Sequence, residues 1–210
     1  MRSMYTYIEQ APAIARDIIA HREALVGPLV EQFCGMAPKR LLIVASGSSY
    51  DIAMSMRPFM QQTLGIEVSV EWPMSYILYN HAQNDETFVL CMSQSGRSTN
   101  TIEAVRRAQA CGHHVAVLTC NPDAPMREYC EHVYAYGSGT EDYYVAKGFP
   151  TSCIYLALFA IEAARALDVR GADDCAALLS DVSAVVEDMD GVYRAARSFV
   201  EKHLDAFVDA

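Results

Sequence analysis

Thr87-Phe88-Val89-Leu90-Cys91-Met92 runs straight into Ser93-Gln94-Ser95-Gly96-Arg97-Ser98, and a helical pattern follows from about Thr99 to Cys111. A near-continuous apolar run of this length suits a strand covered on both faces, as parallel sheets are. The hydroxyl- and glycine-rich turn ends the strand, and Gly112 stops the helix. The same order appears upstream, where Leu41-Leu42-Ile43-Val44-Ala45 leads into Ser46-Gly47-Ser48-Ser49 and a helix to Leu64, closed by Gly65.

Working outward, Ile66 to Glu71 reads as a second strand, and Pro73 opens a further helical turn. His113 to Thr119 is a fourth strand, Asn121-Pro122-Asp123 a turn, and Pro125 to Cys130 a short helix. Val133 to Tyr136 is a fifth strand, broken by Gly137-Ser138-Gly139. Strands alternating with helices at this spacing predict a doubly wound α/β three-layer sandwich around a five-stranded parallel sheet.

Helices flank this unit. Ile8 to Phe33 is a lead-in helix with Pro12 in its first turn and Pro28 expected to kink or divide it. Two more helices are expected from about Tyr144 to Leu167 and about Asp173 to Phe207. The implied organisation is a helical lead-in over 1–38, an α/β domain over 39–170 and an acidic arm over 171–210.

The chain has 210 residues, of which 52% are hydrophobic and 20% charged, an ordinary globular balance. Its 26 acidic and 16 basic residues leave a net charge of −10, with no basic block to grip nucleic acid. Beyond Gly171 stand nine acidic residues against Arg194, Arg197 and Lys202. The longest apolar run, Cys153 to Ile161, is far below the ~18 residues of a membrane span. The first residues lack a signal-peptide core, and the seven cysteines never form C-x-x-C. These features predict a cytoplasmic protein with free, mostly buried thiols.

Ligands of doubly wound sheets bind at the carboxyl ends of the strands, close to where the strand order reverses. Both serine turns sit at such ends and open helices, whose free N–H groups attract an anion. Serine hydroxyls can donate to phosphate oxygens, and glycine lets backbone approach closely. Helix capping alone is the competing explanation for the serines. Neither G-x-x-x-x-G-K-[ST], nor G-x-G-x-x-G after the first strand, nor G-x-S-x-G is present.

The pair Ser-Gly-Ser-Ser-Tyr (46–50) and Ser-Gln-Ser-Gly-Arg-Ser (93–98), with Thr-Ile-Glu-Ala-Val-Arg-Arg-Ala after it, resembles the sugar isomerase (SIS) domain family. Leu-Thr-Cys-Asn (118–121) and Gly-Thr-Glu-Asp-Tyr-Tyr-Val-Ala-Lys-Gly-Phe (139–149) are similar to the glucosamine-6-phosphate synthase and fructosamine-6-phosphate deglycase subgroup. The resemblance spans about residues 5 to 170. It implies a sugar phosphate as ligand and a phosphate cradle of Gly47, Ser48, Ser49, Ser93, Gln94, Ser95 and Ser98. Val145 and Lys147 would approach the sugar body. The implied chemistry is aldose–ketose isomerisation, or amino-sugar or fructosamine 6-phosphate deamination or deglycation. Neither needs a metal or organic cofactor. The alternative is a non-catalytic phosphosugar sensor.

The chain departs from the family at Arg97, where an acidic residue is common. Arg97 is either a solvated charge or a contact for phosphate or a second anionic group of the sugar. In two-domain relatives the catalytic glutamate and ring-opening histidine lie in the second SIS domain or come from a neighbouring subunit. A shared site of that kind implies a homodimer or larger assembly.

Within this chain Glu141 ranks first as a general base, with helix N-capping as its alternative, and Lys147 could neutralise phosphate, pair with Glu141 or be a surface lysine in the first turn of a helix. The six histidines show no metal-ligand spacing. His113 and His114 are expected on opposite faces of a strand, His81 could reach a neighbouring subunit's site, and Tyr143-Tyr144 could stack on a sugar or cover the sheet edge.

Overall fold

The computed structural model describes residues 4–81, 86–121, 123–141 and 145–208. Five strands, β1 (Arg40–Ala45), β2 (Glu67–Glu71), β3 (Thr87–Met92), β4 (His114–Thr119) and β5 (Val133–Ala135), form one sheet. Every pairing is parallel and the order is β2-β1-β3-β4-β5. The direction of winding therefore reverses between β1 and β3, whose registered pairs run from Arg40↔Thr87 to Ala45↔Met92.

Strand alternation divides the core in two. Leu41, Ile43, Phe88, Leu90, Ala116 and Leu118 face one side, with α1 (Met4–Ala20), α2 (Arg22–Met36), α3 (Ser48–Leu64) and α6 (Gly148–Ala166). Leu42, Val44, Val89, Cys91, Val115 and Val117 face the other. That second side is covered by α5 (Thr99–Ala110), by α4 (Pro73–Ser75) with its π-helical continuation over Tyr76–Asn80, and by a 3-10 turn at Pro125–Glu128. Burial of α6 explains the long apolar run of the sequence. Leu156, Phe159, Ile161 and Ala163 are all fully buried, and Phe33 of α2 meets Phe88 and Phe159 edge-on at 5.3 and 5.2 Å.

Three boundaries differ from the sequence expectation. Pro28 does not divide the lead-in, since Pro12 and Pro28 both lie inside helices and the break falls at His21. Asp17 C=O accepts the His21 N–H at 2.9 Å, while His21 C=O accepts from Ala24 and Leu25 at 3.1 Å. His21 thus closes one helix and opens the next. The helix expected from about Tyr144 begins at Gly148, for a reason found in the site. The C-terminal helix is continuous as α7 (Ala172–Lys202), turns at His203 and ends in α8 (Leu204–Val208). Tyr143 and Tyr144 lie outside the described residues.

All seven cysteines are free thiols. Among the described residues no helix is long and apolar enough to cross a membrane, and no cluster of metal-ligating side chains occurs.

Candidate functional site

Because β1 and β3 are neighbours, the turns that follow them lie side by side at the topological switch point. A cavity of about 610 Å³ opens there, and its wall includes Gly47, Ser48, Ser49, Ser93, Gln94, Ser95 and Ser98. All seven residues expected to cradle phosphate thus share one pocket. Arg97, Glu141 and Val145 also line it. The wall further includes Ser46, Cys120, Asn121 and Thr140, which lie in the quoted motifs without having been named as site residues, and Met92 at the end of β3.

The two turns are built differently. Gly47 stands at φ 56° and ψ −138°, a conformation that only glycine takes readily, and caps α3 through its carbonyl. Tyr50 and Asp51 donate to that carbonyl at 2.9 and 3.1 Å. No side chain caps this helix. The N–H groups of its first turn have no partner within the helix, and the Ser48 and Ser49 side chains remain for the pocket.

After β3 the chain is clamped. Gln94 C=O accepts from the Cys120 N–H at 3.0 Å, the Thr119 hydroxyl at 3.1 Å and the Cys120 thiol at 2.6 Å. Gly96 donates to Ser93 C=O at 3.1 Å with φ 64°. A Cβ on Gly96 would lie 2.2 Å from the Ala124 Cβ, so backbone and β4 loop meet there without room for a methyl group. Ser98 caps α5 by accepting from the Thr101 N–H at 3.4 Å and the Thr101 hydroxyl at 3.0 Å.

Glu141 is held by α6. Its Oε1 accepts from the N–H groups of Ala146 and Lys147, and its Oε2 from Gly148, each at 2.8 Å. Those are the orphan donors of a helix N-terminus, which is why α6 starts at Gly148. Gly148 is required by this contact, as a Cβ there would sit 2.6 Å from Glu141 Oε2 and 2.9 Å from Gln94 Oε1. Gln94 donates to Ser152 Oγ at 3.3 Å, and its own Oε1 is buried without a partner. Gly148 and Ser152 support the pocket from behind; Gly148 lies in the quoted 139–149 stretch, and no sequence signal marked Ser152.

Lys147 is not on the pocket wall. It is 5% exposed, and its ammonium lies 5.4 Å from the centre of the Tyr7 ring of α1. It is not a surface side chain, and only its backbone N–H, with no ion pair from the ammonium, meets the Glu141 carboxylate. Cys120, at the end of β4, is no ready nucleophile. Burial, reinforced by Glu141, pushes its thiol up to about 11. His113 is remote from the site, packing tilted against Tyr76 at 6.4 Å on the other face of the sheet.

A doubly wound parallel sheet with an open pocket at its switch point, walled by two hydroxyl-rich helix N-termini, defines a class of α/β domains suited to small phosphorylated ligands. The chain belongs to the SIS domain family, whose model matches residues 37–166. It is 27% identical over 138 residues to a glutamine–fructose-6-phosphate aminotransferase (isomerizing) of Methanothermobacter thermautotrophicus, a match covering 66% of this chain and 23% of that protein. A candidate phosphosugar isomerase of Clostridium difficile 630 superposes with a TM-score of 0.89 at 21% identity, over 98% of this chain and 58% of that one. The C-terminal domain of glucosamine-fructose-6-phosphate aminotransferase from Francisella tularensis gives 0.80 at 18% identity, over 97% and 58%. The chain therefore spans under a quarter of the curated relative's length and just over half of these two structures.

Proposed function

We propose that this chain binds a sugar phosphate in the pocket between the β1 and β3 turns, with the phosphate on Ser48, Ser49, Ser93, Gln94, Ser95 and Ser98. The observation that carries the reading is the uncapped α3 turn. Its serine side chains cap nothing, yet they line the pocket beside a second, rigid serine turn. Gly47 provides the close backbone approach. Arg97 stands on the same wall and contributes positive charge to the phosphate or to a second anionic group. Val145, 37% exposed at the rim, meets the sugar body.

The reaction class is aldose–ketose isomerisation, or deamination or deglycation of a 6-phosphosugar. Either requires a base that takes a proton beside the carbonyl or imine carbon. A carboxylate offers about four acceptor positions, and Glu141 uses three on the α6 N-terminus. Its role is to position α6 and Gly148 against Gln94. The proton-transfer groups come from a second domain or a second subunit; in the latter case the chain works as a homodimer or larger assembly, and its free thiols suit the cytoplasm. The committed state of Glu141 also favours a second reading, a phosphosugar sensor that binds without turnover.

Thermal unfolding with fructose 6-phosphate, glucosamine 6-phosphate, a fructosamine 6-phosphate adduct, the unphosphorylated sugars and inorganic phosphate tests the binding claim. A ligand at about 100 times its dissociation constant adds roughly 2.7 kcal/mol, so a phosphosugar raises the midpoint and its unphosphorylated sugar does not. No shift with any phosphosugar would remove the reading. Turnover of the stabilising sugar separates enzyme from sensor.

A further inference from the structure

The helix α7 buries only Cys175 and Val186, with Leu179, Val182 and Met189 partly packed on the core. Beside that inner face runs a second apolar stripe that, among the described residues, no other element packs upon, apart from His203, whose ring lies tilted 4.6 Å from that of Phe199. Val185, Val192 and Phe199 are 64, 65 and 58% exposed and recur every seven residues, with half-buried Leu178 in the same phase. A seven-residue step drifts only ~20° around an α-helix, so these side chains form one line. From Val185 to Phe199 it is about 21 Å long, at 1.5 Å per residue.

The charges of α7 are segregated along its length. Residues 172–190 carry Asp173, Asp174, Asp181, Glu187, Asp188 and Asp190 and no Lys or Arg. Residues 191–202 carry Arg194, Arg197 and Lys202 against the single Glu201. The helix dipole favours such an arrangement, but only within the first and last turns, and Asp181, Glu187 and Asp188 lie deeper. The side of α7 toward α1 already holds its own ion pairs, Arg16 with Asp190 at 3.1 Å and Glu9 with Arg197 at 3.5 Å, and Arg197 also pairs with Glu201 along the helix at 2.8 Å. Asp181, Asp188 and Lys202 flank the exposed stripe, and among the described residues no ion pair engages them.

We propose that α7 pairs antiparallel with α7 of a second copy of this chain, about a twofold axis at Val192. In this register Val192 meets itself, Val185 meets Phe199 of the other copy, and Asp181 approaches Lys202 of the other copy. A parallel pair would set acidic half against acidic half. A single helix pair buries less than the ~1,200 Å² of a standard interface, so the dimer is concentration-dependent and weakens with salt. The proposal gives a surface to the self-association proposed above and is independent of the sugar reading.

Cysteine cross-linking tests surface and register together, because the native thiols are all buried or half-buried and wild type serves as control. Under mild oxidation V192C is expected to form a covalent dimer with itself, whereas V185C and F199C link efficiently only when the two variants are mixed. V192E, which sets two carboxylates face to face, is expected to halve the mass in light scattering while circular dichroism stays native. V185C linking to itself as readily as to F199C would overturn the antiparallel register. V192C no more linked than wild type, or V192E still dimeric, would overturn this surface and leave the oligomer to another one. A wild type that stays monomeric throughout a concentration series would overturn both, leaving the stripe to another occupant such as a further domain.

Discussion

The two serine turns look alike as sequence and are opposites as structure. The β3 turn is braced at nearly every step. Three donors hold the Gln94 carbonyl, Gly96 is wedged against Ala124, and Ser98 Oγ accepts twice from Thr101 at the α5 N-terminus, keeping only its O–H to donate. The β1 turn is held by the backbone alone, with open space around Gly47 and no side-chain cap on α3. One turn therefore supplies rigidity, and the other supplies polar groups that the fold does not consume. Helix capping explains Ser98 and leaves Ser48 and Ser49 unexplained. That is why the pocket reads as a binding site.

Substitutions can break or sharpen this contrast. The largest expected effect is at Gly96. Alanine there combines a 2.2 Å overlap with Ala124 and a positive φ, for a loss of roughly 2–4 kcal/mol. At about 2–4 °C per kcal/mol for a domain of this size, calorimetry should show a drop of roughly 5–15 °C. Gly47→Ala shares the positive φ without the clash, so the loss should be the backbone strain alone, about 1–3 kcal/mol, and smaller than at Gly96. Equal losses at the two glycines would contradict the contrast.

Glu141→Gln keeps one acceptor oxygen and turns an amide toward backbone donors at 2.8 Å. It is expected to cost about 1–3 kcal/mol in denaturant unfolding. An unchanged midpoint would show that the carboxylate does not hold the α6 N-terminus. Ser98→Ala removes a cap, worth about 1 kcal/mol. Ser49→Ala removes a hydroxyl that caps nothing and should change stability by less than about 0.5 kcal/mol. Reversal of that order between Ser98 and Ser49 would assign capping to the wrong turn.

The strands, their alternation and both turns were legible because each is local. An apolar run, a glycine break and a helix start are read within about fifteen residues. Adjacency of β1 and β3, which brings the turns together, is a property of the strand order. The Glu141 contact joins a loop to the α6 backbone, and its partners are N–H groups that every residue has. Helix N-capping was legible as the alternative role of Glu141 and is the role found, whereas the particular N–H groups it takes were not legible. Lys147 misled for a related reason. A lysine in a first turn suggests solvent, whereas the Tyr7 ring of α1, some 140 residues upstream, covers it. The lead-in broke at His21 rather than Pro28 because hydrogen bonds through Asp17 and His21 terminate α1, while α2 accommodates its proline.

The most direct measurement is titration calorimetry of the phosphosugar that stabilises the chain, on wild type and Ser49→Ala. If the β1 turn exists to hold phosphate, Ser49→Ala unfolds at the wild-type temperature but binds at least tenfold more weakly, about 1.4 kcal/mol. Wild-type affinity in Ser49→Ala, with stability unchanged, would contradict the account and leave the turn a helix start with no phosphate to hold.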